Sequence, residues 1–390
     1  MSGAGNQLTA RSSESGVKRL IVFVALTGIC AAQQKFIYPA PPAGQFHVRR
    51  DLVYRQVAGR DLQFDLYRPA SAAARLPVIV FMDAFGEQSQ RKSPIYTGWA
   101  EAATAHGFAA INADTHSDGI AEDFDALASY LRQNASELNI DSERIVVYAA
   151  SGHASRALPI IEDPKRNWIR AAAIYYGAAD IERFRPEVPL LWVRAGLDRP
   201  QMNRAIEAAA SKAIRQNVTV SVVNFAGGHH GFEVIDDNDV GRDVIEQTFQ
   251  FFRKSLDPSW RAAVASGQMQ ADAAGAALSG EYERAASIYA HLIDEHSSAV
   301  LRLAYGEALL GARRYHEARA QFDRAKQLGG VGARDLGVPA AMASALDGDG
   351  DAAIAWLKTI PRQFLPAALA QDPAFEKLRG RSDFEAIFRD

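Results

Sequence analysis

The sequence predicts an α/β fold, a mostly parallel sheet with helices on both faces, followed by a second domain made only of helices. From residue 46 to about 256, strand-like runs alternate with amphipathic segments, the pattern of a sheet covered on both sides. The run 78–81 is apolar at every position, which suits a central parallel strand, and 108–111, 145–148, 171–175, 190–193 and 218–223 fit the same role. After Pro258 the composition shifts to Ala, Leu, Arg and Glu with helical periodicity, and strand signals stop.

The helical stretches between the strands are 99–106, 121–134, 204–216 and 243–256. An antiparallel pair, 51–57 and 62–67, precedes them, joined by the turn Ala58-Gly59-Arg60-Asp61. The expected division is 46–257 for the α/β domain and 258–390 for the helical one. At 390 residues, 48% apolar and 23% charged, the chain has the composition of two globular domains and not of a disordered polymer. A formal net charge of -3 shows no basic excess, which argues against nucleic acid as the main partner. The single cysteine, Cys30, precludes intrachain disulfides and cysteine metal clusters.

Residues 1–32 read as a secretory signal or an N-terminal anchor. Lys18-Arg19 precedes an apolar run from 20 to 32, and Cys30 and Ala32 put small residues where a signal peptidase reads. The run is short for a membrane span, so export with cleavage near Ala32 is expected, to the periplasm or beyond. Ile29 is too bulky for lipid attachment at Cys30. Gln33-Gln34 and the proline-rich 39–42 make 33–45 a linker, and no further membrane segment is expected.

Ser151 is the residue on which a function is built. It ends the run Ile145-Val146-Val147-Tyr148-Ala149-Ala150-Ser151-Gly152-His153-Ala154, where a β-branched strand enters a small-residue turn and then a helix. A serine hydroxyl attacks only when a base takes its proton and fixed N–H groups await the oxyanion, so the chemistry needs it lifted out on a tight turn. The helix N-terminus aims its free N–H groups at that charge, and Gly152 N–H is the natural first donor. The competing reading of such a serine is a helix N-cap.

Of the nine histidines, the pair His229-His230 has the right context, after the strand 218–223 and before the last helix of the domain. Asp198, after the strand 190–193, supplies a carboxylate to hold the imidazole tautomer and stabilise its cation. Ser151, Asp198, His230 is the chain order used by α/β-hydrolases. Across roughly 48–256 the sequence resembles that superfamily, and within it the dienelactone-hydrolase-like group. The resemblance is carried by Asp65-Leu66-Tyr67-Arg68-Pro69, by 99–114, by Asn139-Ile140-Asp141-Ser142-Glu143-Arg144-Ile145 and by Gly228-His229-His230-Gly231-Phe232. It implies that His230, directly before Gly-Phe, is the base and His229 a neighbour. It also implies a second oxyanion N–H from Ala84 or Phe85, because Asp83-Ala84-Phe85-Gly86 stands where relatives carry His-Gly-Gly-Gly.

Around this centre, His153 has three readings: lining the acyl pocket, donating to the oxyanion, or packing on the first helical turn. Asp83 is a polar substrate contact or a turn residue, and His116, in Asp114-Thr115-His116-Ser117-Asp118, rims the site. Asp236-Asp237-Asn238-Asp239 beside His229 and His230 hints at a metal, but helix capping before Val240 explains it, and neither metal nor cofactor is expected. Ser155 and Ser117 lack the strand-turn context.

In the helical domain, Ala285 and Tyr289, Ala318 and Phe322, and Ala352 and Trp356 repeat one Ala-x-x-x-aromatic pair at offsets of 33 and 34. That period matches a tetratricopeptide repeat, in which a small residue lets two helices approach and the aromatic fills the gap. The last segment, 372–388, reads as a cap. Such an array offers a concave surface to a peptide, a protein or a second copy of the chain, or roofs the active site. The expectation from the whole chain is an exported serine hydrolase acting on a small-molecule ester through an acyl-enzyme. A peptidase or acyltransferase on the same fold stays open, and the alternative from another class is a catalytically degenerate scaffold serving an interaction module.

Overall fold

The computed structural model describes residues 35–83, 90–294 and 296–389. The signal or anchor expected over 1–32 and the oxyanion candidates Ala84 and Phe85 lie outside them. Strands β1 (Phe46–Val57) and β2 (Arg60–Pro69) form a hairpin. Ala58 and Gly59 both take positive φ, the two-residue turn whose twist matches an antiparallel pair. Then follow β3 (Leu76–Phe81), α1 (Pro94–Ala105), β4 (Ala109–Ala113), α2 (Ile120–Gln133), α3 (Ala135–Leu138), β5 (Ile140–Ala150) and α4 (Ser151–Ile161). The domain is completed by β6 (Ile169–Tyr175), β7 (Leu190–Ala195), α5 (Pro200–Arg215), β8 (Val220–Phe225), α6 (Phe232–Ile235) and α7 (Asp239–Ser255).

The strands form one eight-stranded sheet in the order β1-β2-β4-β3-β5-β6-β7-β8. β2 is antiparallel to both β1 and β4, and from β4 to β8 every pairing is parallel. Continuous apolar runs are what make this possible. Val78 and Val80 of β3 pack into one core with Phe124, Leu127, Leu158 and Ile206 from α2, α4 and α5. Ile79 and Phe81 pack into the other with Trp99, Ile245 and Phe249 from α1 and α7. This strand order, with an antiparallel leading hairpin followed by a parallel sheet covered by helices on both faces, is the α/β-hydrolase fold. The chain order reverses between β3 and β5, so the crevice beyond their carboxyl ends is the place where such sheets carry sites.

Residues 35–45, expected to be a linker, pack on the sheet domain instead. Phe36 is buried against Trp99, with ring centroids 5.4 Å apart, and Gly98 leaves it room where any Cβ would lie 2.3 Å from Phe36. Ile37 N–H donates to Glu233 O at 2.8 Å, and Tyr38 Oη bonds Glu246 and His106 at 2.8 and 2.9 Å. Aromatic anchors in a proline-rich stretch made the difference.

The second part runs through α8 (Pro258–Leu278), α9 (Tyr282–Leu292), α10 (Ala299–Gly311), α11 (Tyr315–Leu328), α12 (Ala333–Leu346), α13 (Gly350–Leu357) and α14 (Ser382–Phe388). Ala285, Ala318 and Phe322 are fully buried, with Tyr289 and Trp356 nearly so, in a core rich in alanine. Small side chains let the helices approach closely, and the aromatics fill the space left between them. The array attaches through α8, where Arg261 donates to Arg170 O at 2.9 Å and Gln268 bonds Pro186 O. Those carbonyls lie at the amino-terminal ends of β6 and β7. The attachment is therefore at the sheet edge opposite Ser151, and not over it as a roof would require. No helix among the described residues is long and apolar enough to cross a membrane.

Gly306 in α10 faces the Phe322 ring of α11 so closely that a Cβ would lie 2.5 Å from it. Gly306→Val is expected to destabilise the helical part by roughly 1–3 kcal/mol through overpacking. Thermal unfolding of the full chain checks it, and an unchanged melting curve would mean that the hairpin opens freely.

Candidate active site

Ser151 follows the last residue of β5 directly, with φ of 54°. A non-glycine residue in the left-handed region carries strain of order 1 kcal/mol, which the surroundings must hold. They do so by close packing. Gly177, just after β6, leaves space that any Cβ would lose, since it would lie 2.6 Å from Ser151 O and 2.5 Å from Ala154 Cβ. Ala149 is fully buried, and Ala150 is the extended residue that opens α4. Gly152 stands in the first turn of that helix, where backbone N–H groups lack intrahelical partners.

The histidine loop reaches this turn from the far side. Ser151 Oγ lies 2.7 Å from His230 Nε2, and His230 Nδ1 lies 2.7 Å from Asp198 Oδ2. A carboxylate accepts only, so Nδ1 carries the proton and Nε2 accepts from the serine. Asp198 is buried; its other oxygen accepts Arg199 N–H at 2.7 Å. Its loop and the histidine loop are knitted together: Leu197 N–H donates to Gly228 O at 2.9 Å, and a Cβ on Gly196 would lie 2.1 Å from Ala226 O. Gly231, at φ 77°, turns the chain into α6, and the fully buried Phe232 anchors it by stacking on Tyr175 at 5.6 Å.

The other expected residues take different places. His153 is packed edge-on against Tyr96, with centroids 6.1 Å apart, and its Nδ1 is 3.3 Å from Asp83 Oδ1. Asp83 is buried at the end of β3, where its carbonyl accepts Thr115 Oγ1 at 2.8 Å. His116 is bound to Asp123 through both its N–H and its Nδ1, at 2.7 and 2.6 Å, and Arg55 bonds the same carboxylate. His229, with its side chain half exposed, is held by Asp236 at 2.7 Å through N–H and 2.8 Å through Nδ1. Asn238 caps α7, accepting Gly241 N–H at 2.9 Å. Among the described residues no group of three or more His, Cys, Asp or Glu side chains could hold a metal.

Sequence reasoning missed three groups. Arg91 is buried and bonds Asp51, Asp65, Asp114 and Gln63, pinning the short helical turn Gln90–Lys92 that follows 84–89 to the sheet. Tyr176 lies with its ring 4.5 Å from that of His230. Glu233 is fully buried, accepting Tyr148 Oη at 2.7 Å and Tyr176 Oη at 2.9 and 2.8 Å, and burial raises its pKa above the ordinary carboxyl value. The one hint in the sequence was a Tyr-Tyr-Gly at the end of a buried strand.

No protein-family model matches the sequence, and no curated protein does. Solved structures that resemble it include a bacterial heroin esterase, at 16% identity over 55% of this chain and 86% of that one, with a TM-score of 0.44. A fungal esterase from Rhizomucor miehei matches at 17% identity over 56% and 86% of the two chains, with a TM-score of 0.46. An esterase from Mycobacterium marinum matches at 15% identity over 55% and 84%, with a TM-score of 0.47.

The carboxyl end of α4, the helix that begins at Ser151, holds a buried titratable group. Glu162 is buried there and accepts Arg185 N–H at 2.6 Å, while Arg185 Nη1 bonds Ile161 O at 3.0 Å. Burial pushes the Glu162 carboxyl from 4.5 up to about 7, against the opposing pull of Arg185. The folded chain thus holds this proton more tightly than the unfolded one. The resulting stability is complete below about pH 4.5 and is lost as pH rises through about 7, with a ceiling of about 3 kcal/mol. Glu162→Gln is expected to flatten that part of the stability profile, read by urea unfolding across the range; an unchanged slope would remove Glu162 as the cause.

Proposed function

We propose that this chain is a serine hydrolase of carboxylic esters. The observation that carries the reading is the relay Ser151–His230–Asp198, with both links at 2.7 Å and each residue at the carboxyl end of a different parallel strand. In this reading Ser151 Oγ attacks the ester carbonyl while His230 Nε2 takes its proton, and Asp198 stabilises the imidazolium without being protonated. Gly152 N–H, with an N–H from Ala84 or Phe85, receives the oxyanion. Collapse expels the alcohol with the proton from His230, and a water activated by the same nitrogen then releases the acid.

The motifs quoted above favour a dienelactone-hydrolase-like member, and the esterases among the structural neighbours act on substrates of the same class. Export rests on the charged-then-apolar pattern of 1–32. The tetratricopeptide-like reading of 258–390 rests on its 33- and 34-residue offsets, and a peptide or protein partner there belongs to that reading.

Hydrolysis of a short-chain p-nitrophenyl ester series tests the proposal. Ser151→Ala and His230→Ala are each expected to lower kcat by at least about 10³-fold, and Asp198→Asn by a comparable factor, with little change in stability. A fluorophosphonate is expected to label Ser151. Absence of both turnover and labelling in the folded protein would favour a scaffold that has lost catalysis.

A further inference from the structure

Glu233 is a fully buried carboxylate for which the described residues offer no cationic partner. Removing such a group from water is costly unless its oxygens are all well bonded. Here phenols do that work: Tyr148 donates to Oε1 at 2.7 Å, and Tyr176 reaches Oε1 and Oε2 at 2.9 and 2.8 Å. A core needing only stability would be served as well by an apolar side chain of similar volume.

The place of Tyr176 supplies a reason. It directly precedes Gly177, whose backbone lies under Ser151, and its φ is 33°, in a region that a tyrosine rarely adopts. Its N–H is tied to Val193 O at 2.8 Å, and its ring meets His230 at 4.5 Å and 51°. Strain of this kind persists where the surroundings overdetermine it and concentrates at working sites. Glu233, in turn, is three residues beyond His230 in the same loop and helix, with its carbonyl held by Ile37 N–H. The hydrogen bonds of Nδ1 to Asp198 and of Nε2 with Ser151 fix the two nitrogens of the imidazole along one line. They leave the ring plane free to turn about that line.

We propose that Glu233 and Tyr176 are positioning residues for His230, the carboxylate holding the phenol so that its ring fixes the plane in which Nε2 meets Ser151. The inference rests on the hydrolase reading above. A small misplacement of a proton-transferring group costs rate rather than binding, so the signature is a fall in kcat with KM nearly constant.

The test uses the full chain and a p-nitrophenyl ester. Tyr176→Phe, which keeps the ring but frees it from Glu233, is expected to lower kcat by roughly 5–50-fold with KM within about twofold. Glu233→Gln should do the same, and the double variant no more than either alone, because both remove one link. Tyr148→Phe is the control. It also costs Glu233 a hydrogen bond, but its ring packs on Phe81, Trp99 and Tyr175, so its kcat should stay within about twofold of the parent.

Equal falls in kcat for Tyr148→Phe and Tyr176→Phe would make Glu233 a merely structural group and overturn the proposal, as would an unchanged kcat in Tyr176→Phe. Should Glu233→Gln fail to fold, Tyr176→Phe against Tyr148→Phe decides alone. Turnover that survives in Ser151→Ala would instead sink the hydrolase reading, a result separate from either of these.

Discussion

Everything around Ser151 depends on one backbone constraint, the left-handed turn between the buried carboxyl half of β5 and the helix that begins with this residue. An L-residue adopts φ of 54° only if its neighbours pay back the strain, and they do so through absence of bulk. Ala149, Ala150 and Ala154 are small, and Gly177 brings the adjacent strand end to within contact of the serine's own backbone. The hydroxyl is thereby raised above the sheet, while the first turn of α4 presents free N–H groups beside it. A bulkier residue at 177 would shift the turn and the histidine contact together.

The two partner residues reach this turn on loops that are joined before they reach it. Gly196 allows the aspartate loop to lie against Ala226, and the Leu197–Gly228 hydrogen bond ties the aspartate loop to the histidine loop. Phe232 then sinks the exit of the histidine loop into the aromatic core under α7. Asp198 and His230 follow separate strands yet sit on loops that are bonded to each other, beside a pair of hydrogen bonds that are both 2.7 Å. Beneath them, burial raises the pKa values of Tyr148, Tyr175, Tyr176 and Glu233 alike, which keeps the phenols protonated.

The helical part obeys a different rule. Its alanines and glycines reduce the distance between helices, and single aromatics such as Phe322 and Tyr289 set the spacing. Its attachment at the amino-terminal ends of β6 and β7 leaves the carboxyl ends of the strands to the loops of the sheet domain. A groove between α8, α9 and α10 is lined by Ala274, Leu278, Tyr282, Tyr289, Ala304 and Glu307, none of which takes part in that attachment.

The sequence by itself determined the element order and most of the buried strands, because continuous apolar runs, small-residue turns and chain order are local signals; the run 218–223, expected to be a central strand, is instead the edge strand β8, with Val222 exposed, because nothing in its own residues says that no further strand follows it in the sheet. It read His229 and His230 as a pair, and resemblance chose between them. Only the tertiary structure decided that 35–45 is a strap and that α8 docks away from Ser151. It also showed that His116 and His153 pair with Asp123 and Asp83, and that Tyr176 and Glu233 sit behind His230. Each of these depends on contacts between residues far apart in the chain. Neither hydrophobic periodicity nor turn chemistry encodes where a side chain meets a partner on another strand, so those positions become visible only when the sheet brings its ends together.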